Sequence, residues 1–178
     1  MLETSQDLLT RAAAAKREGR LTDARRDASR ATGMLRQHPP GAELANALRL
    51  VAEVERKLHQ EIAARQHYEE AVALCYLYAD PLTLAHTIRH LGDLYYEAGQ
   101  MELAQPCYRE ALNLYRAEKN PPPLDLANAI RSFAILAGNI GATEQAKTLW
   151  QEARDLYALV NVPEGVKESS RQLAQIAG

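Results

Sequence analysis

The chain has 178 residues, 47% of them hydrophobic and 25% charged, with eight tyrosines against one Phe and one Trp, a composition typical of one soluble domain. A formal net charge of -2 and a pI of about 6.2 exclude a general nucleic-acid or membrane-surface binder, which needs a basic excess. No apolar run has the length of a membrane span or signal peptide, so the expectation is a cytoplasmic protein without a membrane partner.

The first 40 residues are locally basic, with eight Lys/Arg against five acids, which leaves the remainder at -5. A solvated helix face with local ion pairs is the simplest reading of that imbalance. Within it, Leu8, Ala12, Gly19, Ala24, Ala28 and Ala31 recur at helical spacing and form a faint first unit.

Clearer copies follow. LANALRLVAEVE from Leu44, LAHTIRHLGDLY from Leu84 and LANAIRSFAILA from Leu126 align, so that Leu48, Val51 and Ala52 match Ile88, Leu91, Gly92 and Tyr95, and then Ile130, Phe133, Ala134 and Ala137. These are expected to be the buried stripes of equivalent helices. A second half follows in each: YEEAVALCY from Tyr68, YREALNLYR from Tyr108 and WQEARDLYA from Trp150, with Ala64, Ala104 and Ala146 one turn earlier. Small residues facing an aromatic permit close helix approach.

Between the halves, Gly99 and Gly141 suit a left-handed helix end, whereas the second unit has His59 there, which leaves that boundary open. Thr143 and Glu144 supply helix-start chemistry, and Pro106 is expected within a first turn, where it disturbs nothing. Cys75 and Cys107 have no zinc or redox spacing and are expected to be small packing residues in a reducing compartment.

Pro39, Pro81, Pro123 and Pro163 lie 42, 42 and 40 residues apart and are expected in the connections that end each second helix. A final segment, VKESSRQLAQIA, offers Val166, Leu173 and Ile176 on one side, as a capping helix would. The organisation read from this pattern is one domain over 1–178, with units at 5–40, 44–80, 84–122 and 126–161 and a capping helix at 164–177.

The order Ile88-x-x-Leu91-Gly92-x-x-Tyr95, then Ala104-x-x-x-Tyr108-x-x-Ala111, resembles the tetratricopeptide repeat. The period of 40 to 42 exceeds the usual ~34 and resembles the long variant of kinesin light chains. In the first unit Arg11 and Ala12 replace Leu-Gly, and Ala28 replaces the aromatic. The resemblance implies an all-α fold, a right-handed superhelical solenoid of four antiparallel helix pairs plus the capping helix, with the first helices lining a concave groove.

It also implies a peptide-binding groove. Asn46, His86 and Asn128 are equivalent, and three residues on come Arg49, Arg89 and Arg131; Glu53, Asp93 and Tyr96 share these faces. Stacked helices sit ~10 Å apart and an extended strand advances ~3.3 Å per residue, so such rungs would meet roughly every third residue. Asn can pair with peptide backbone and Arg with carboxylates. The opposing reading is that Arg49 and Arg89 close i,i+4 ion pairs with Glu53 and Asp93, which leaves Arg131 unexplained because Ile135 stands four residues on.

The expected function is therefore a non-enzymatic protein-interaction module that needs no cofactor and binds a protein or peptide carrying acidic or C-terminal carboxylate groups. Self-association through a terminal repeat is a further possibility. An RNA-binding helical repeat is an alternative that the acidic balance of residues 41–178 opposes, and a regulatory or sensor domain of a larger assembly is another. No phosphate loop, nucleophile elbow or credible Cys/His motif supports an enzyme. His86, His90 and Asp93 have metal-like spacing, but Thr87 stands where H-E-x-x-H needs Glu, so no metal site is expected.

Overall fold

The 40-residue period is expressed as helix pairs. The computed structural model describes residues 3–177, and among these there are nine α-helices and no strand. They are α1 (Ser5–Arg17), α2 (Leu21–Leu35), α3 (Ala42–Lys57), α4 (Glu61–Tyr78), α5 (Pro81–Glu97), α6 (Met101–Ala117), α7 (Pro123–Asn139), α8 (Thr143–Leu159) and α9 (Pro163–Ala177). The architecture is an all-α solenoid of four helix pairs followed by the single helix α9. It divides into two compact units, residues 1–87 and 88–178.

Every pair turns by the same backbone device. Gly19, Gly99 and Gly141 take φ of 77°, 74° and 77°, and His59 takes 57° at the equivalent place. The next N–H then reaches back five residues: Arg20 to the Ala15 carbonyl at 2.9 Å, Gln60 to Glu55 at 2.9 Å, Gln100 to Tyr95 at 2.8 Å and Ala142 to Ala137 at 2.8 Å. This 6→1 closure satisfies a carbonyl that the helix end would otherwise orphan. His59 thus performs the glycine's role, at a cost on the order of 1 kcal/mol for its Cβ. The α8–α9 connection repeats the device with Asn161 at φ 56° and Val162 N–H on the Tyr157 carbonyl.

Helix starts differ from three expectations. Pro81, Pro123 and Pro163 are the first residues of α5, α7 and α9, so they open first helices instead of closing second ones. The physical reason is that the first N–H of a helix has no partner to lose, and proline's fixed φ is already helical. Thr143 sits at the first helical position and does not cap, because Ala142 occupies the cap and the Thr143 hydroxyl turns to the Gly141 carbonyl at 3.4 Å. Pro106 is the sixth residue of α6, past the four free N–H groups, yet the helix continues through it to Ala117. Side-chain caps occur elsewhere: Thr4 and Asp7 form a reciprocal capping box, and Asp80 accepts from Thr83 N–H at 2.9 Å.

In the first unit the core is built from small residues. Ala12 and Ala15 of α1, Ala24 and Ala28 of α2 and Leu50, Val51 and Val54 of α3 form one cluster. Leu35, Leu44, Ala47, Leu48 and Ala71 form another. Tyr68 is fully buried over Ala64, as its spacing predicts. In the second unit the Tyr108 and Phe133 rings lie 6.4 Å apart at 39°, and Trp150, Tyr115 and Tyr157 are buried. Truncating an aromatic of this kind to Ala typically costs about 3–5 kcal/mol. Tyr95 is only half-buried, since Leu94 takes the inward place.

Two glycines let helices approach. A Cβ on Gly92 would stand 2.9 Å from the Tyr108 ring, and one on Gly165 would stand 2.4 Å from the Tyr157 ring. Gly165 and Ser169 consequently form the buried face of α9. Val166, Leu173 and Ile176, expected as its core stripe, are half-buried instead, because so close a crossing admits only small residues at its centre.

Candidate functional site

The first unit carries an open groove of about 440 Å³ between α1 and α3. Its lining includes the apolar Leu9, Ala13 and Leu50 and the polar Lys16, Arg17, Asn46, Arg49 and Glu53. Helical spacing explains this: Leu9, Ala13 and Lys16 follow one another at four and three residues on α1, and Asn46, Arg49 and Glu53 at three and four on α3. Three cations therefore share the groove with one acid.

Glu53 is the hub of that charge. It accepts from Arg49 Nη1 at 2.5 Å and from Lys16 Nζ, while His86 Nε2 stands 3.9 Å away. Burial by itself would raise the Glu53 pKa, but His86, Arg49 and Lys16 together hold it well below the usual carboxylate range. Arg49 has a further peculiarity, since its Nε is buried without a hydrogen-bond partner. Asn46 and Arg17 are exposed and make no side-chain hydrogen bond or ion pair among the described residues.

Most of the basic N-terminal stretch is consumed by ion pairs. Arg11 binds Glu3 and the buried Asp27, Arg20 binds Glu18 and Asp23, Arg26 binds Asp23 and Asp27, Arg30 binds Glu3, and Arg36 binds Glu70. Arg11 above all, then Arg26, hold the Asp27 carboxyl below its ordinary range against the effect of burial. The expected solvated, paired face accordingly describes this stretch, with Arg17 as the exception.

In the second unit the ladder residues are tied to the protein itself. Asp93 accepts from Arg89 at 3.2 Å, from Tyr108 Oη at 3.0 Å and from Ser132 Oγ at 3.0 Å, and His90 Nδ1 lies 3.3 Å from it. Arg89 is buried there, with Nη2 2.7 Å from His90 Nε2. Arg131, which lacks an acid four residues on, makes a two-pronged pair with Glu168 of α9 at 2.6 and 2.7 Å. That bond lowers the Glu168 pKa, and Arg131 is held even more firmly protonated. Asn128 accepts from Tyr157 Oη at 2.8 Å, and Tyr96 Oη accepts from Asn139. Every ladder arginine thus has an internal carboxylate.

The model of the tetratricopeptide repeat matches residues 43–117. That stretch spans α3 to α6, two of the four helix pairs. Solved structures carry the likeness further along the chain. The crystal structure of BtubC (BKLC) from P. vanneervenii is 19% identical with a TM-score of 0.80, covering 88% of this chain and 64% of its own. Aspartyl phosphate phosphatase F from Bacillus subtilis gives 14% and 0.83, covering 97% of this chain and 45% of its own. A Rap protein complexed with competence and sporulation factor gives 12% and 0.78, covering 97% and 51%. The chain therefore spans between about half and two thirds of these neighbours, and identities this low carry the fold alone. A search of curated proteins finds no match.

The groove adds residues that reading the repeats passed over. Lys16 and Arg17 lie in the faint first unit, where the repeat pattern is degraded, yet a signal was present: Lys16 precedes Glu53 by 37 residues, and Arg131 precedes Glu168 by the same interval. Opposite charges one repeat apart, less one helical turn, mark side chains that meet across adjacent first helices. Among the described residues no group of three His, Cys, Asp or Glu could hold a metal ion, and no helix is long and apolar enough to cross a membrane. Cys75 is buried with its Sγ 3.7 Å from Thr87 Oγ1. Burial pushes the Cys107 thiol up to about 11, with Glu110 adding to the effect.

Proposed function

We propose that this tetratricopeptide-repeat chain is a non-catalytic protein-interaction module that takes an extended segment of a partner protein on its first-helix faces. The observation that carries the reading is the α1–α3 groove of about 440 Å³, in which the apolar Leu9, Ala13 and Leu50 share the lining with Arg17, Asn46 and Arg49. Such a surface suits a peptide that offers an apolar side chain next to a carboxylate, with Asn46 free for backbone hydrogen bonds and Arg17 free for charge. A structural neighbour, the Rap protein, was solved with a factor bound, which supports a binding role for a fold of this kind.

The contact set proposed is Asn46, Arg49, Glu53 and His86 in the first unit and Arg89, Asp93, Tyr96, Asn128 and Arg131 in the second. The two groups differ in role. Those in the second unit are held by internal hydrogen bonds and ion pairs, so they offer a pre-formed polar surface; Asn46, Arg49 and Glu53 in the first line the open groove, with His86 beside Glu53.

A positional-scanning octapeptide library on beads, probed with the labelled chain, tests the proposal. Enrichment of acidic residues beside Leu, Ile or Phe is the expected result, lost in Arg17→Ala and in Asn46→Ala without change in melting temperature. Retention of basic or featureless peptides, or equal retention by both variants, refutes the groove. Binding of single-stranded RNA with a steep salt dependence would replace the reading with the nucleic-acid one.

A further inference from the structure

Glu53 does to Lys16 and Arg49 what the carboxylate of a partner would do. It is the one acidic side chain lining the α1–α3 groove, and it draws on Lys16 from α1, Arg49 from its own helix and His86 from α5. Two of the three groove cations are thereby committed from within, and only Arg17 is left unpaired among the described residues. Arg49 is bound imperfectly in this state: Nη1 reaches Glu53 while the buried Nε has no acceptor. A guanidinium engaged through Nη1 alone keeps a further terminal nitrogen with donors for a second carboxylate.

We propose that Glu53 is an internal competitor that sets the specificity of this groove, released when a ligand carboxylate takes over Lys16 and Arg49. This rests on the groove being the binding surface. Because Glu53 is tethered, its effective concentration at the cations is far above that of a free acid. A ligand whose binding depends on a state populated only in part has its affinity reduced by that fraction. Simple acids are therefore rejected, and a carboxylate gains entry only when an adjoining apolar side chain adds contact with Leu9, Ala13 and Leu50. The selected ligand class is a carboxylate beside a leucine-like residue, whether from an acidic side chain or from a chain terminus.

Amide NMR titrations of the full chain at pH 7 test this with four probes. Acetyl-leucyl-glutamate amide carries a side-chain carboxylate and acetyl-glutaminyl-leucine a terminal one, which separates the two sources; acetyl-leucyl-glutamine amide removes the charge and glutarate removes the apolar group. The wild type should bind one or both of the first two and neither control. Glu53→Gln should bind the same peptide about tenfold tighter and should now bind glutarate. In the wild type, the side-chain carboxyl carbon resonance of Glu53 should move as the peptide saturates, a readout that needs no variant to fold. Peptide binding with that resonance unmoved, or with folded Glu53→Gln no tighter, overturns the competitor role and leaves the groove standing. No binding of any probe to either protein overturns both.

Discussion

Replacing Gly165 by Ala places a methyl group where the structure has no room for one. Its Cβ would lie 2.4, 2.5 and 2.6 Å from three ring carbons of Tyr157. Ordinary carbon contacts are about 3.5–4 Å, so ring and helix must separate by roughly 1 Å. The ring cannot turn aside freely, because it is buried and its hydroxyl donates to Asn128 Oδ1 at 2.8 Å. The helix must therefore move, and α9 carries Glu168, which grips Arg131. Overpacking of this kind costs about 1–3 kcal/mol, and for a chain of this size each kcal/mol lowers Tm by roughly 2–4 °C. The expected loss is on the order of 2–12 °C by thermal circular dichroism. Gly138→Ala provides the comparison, since this helical glycine on α7 has nothing within 4 Å of an added Cβ. It should stabilise by about 0.4–1 kcal/mol through the lost freedom of the unfolded chain. If Gly165→Ala melts with the wild type, or if both substitutions act alike, the close α8–α9 approach is not what selects glycine there.

His59→Gly should raise stability by about 0.5–1 kcal/mol, measured by urea titration, because the left-handed φ of 57° then carries no Cβ penalty; a loss would mean that the imidazole contributes more than the strain costs. The carboxyls of Glu53, Asp27 and Glu168 are all depressed in the folded state, so their contribution is complete above the ordinary carboxylate range and disappears as pH falls through it toward 2. Chemical stability measured from pH 6 down to pH 2 should therefore fall, with a shallower slope in Glu53→Gln; an unchanged slope would remove Glu53 from that linkage. Burial raises both cysteine pKa values, so thiol reagents at pH 7.5 should modify Cys75 and Cys107 slowly and accelerate sharply in denaturant. Rapid native modification of Cys75 would contradict its packing against Thr87.

The sequence by itself determined the helix pairs, their number and their spacing. Those depend on local rules: apolar residues at helical intervals, alanine one turn before each aromatic, and a residue able to end a helix in the left-handed region. Even His59 was visible as the residue standing where glycine was due, although only the backbone revealed that it adopts glycine's conformation. The proline spacing was equally legible, whereas its meaning was not. A proline that opens one helix and a proline that closes the preceding one look alike in one dimension, and they are told apart only by which residues are helical.

Charge was what tertiary structure decided. Reading along one helix found Arg49 beside Glu53 and Arg89 beside Asp93, but Arg131 looked unpaired because its acid, Glu168, comes from the neighbouring helix. The same limitation concealed Lys16, whose partner Glu53 lies on α3. Ion pairs of this kind form between side chains one repeat apart, and their geometry depends on how adjacent helices cross, which the hydrophobic period does not encode. The period therefore nominated the same polar positions in successive repeats, and packing determined which of their cations are already satisfied and left the open groove on α1 and α3.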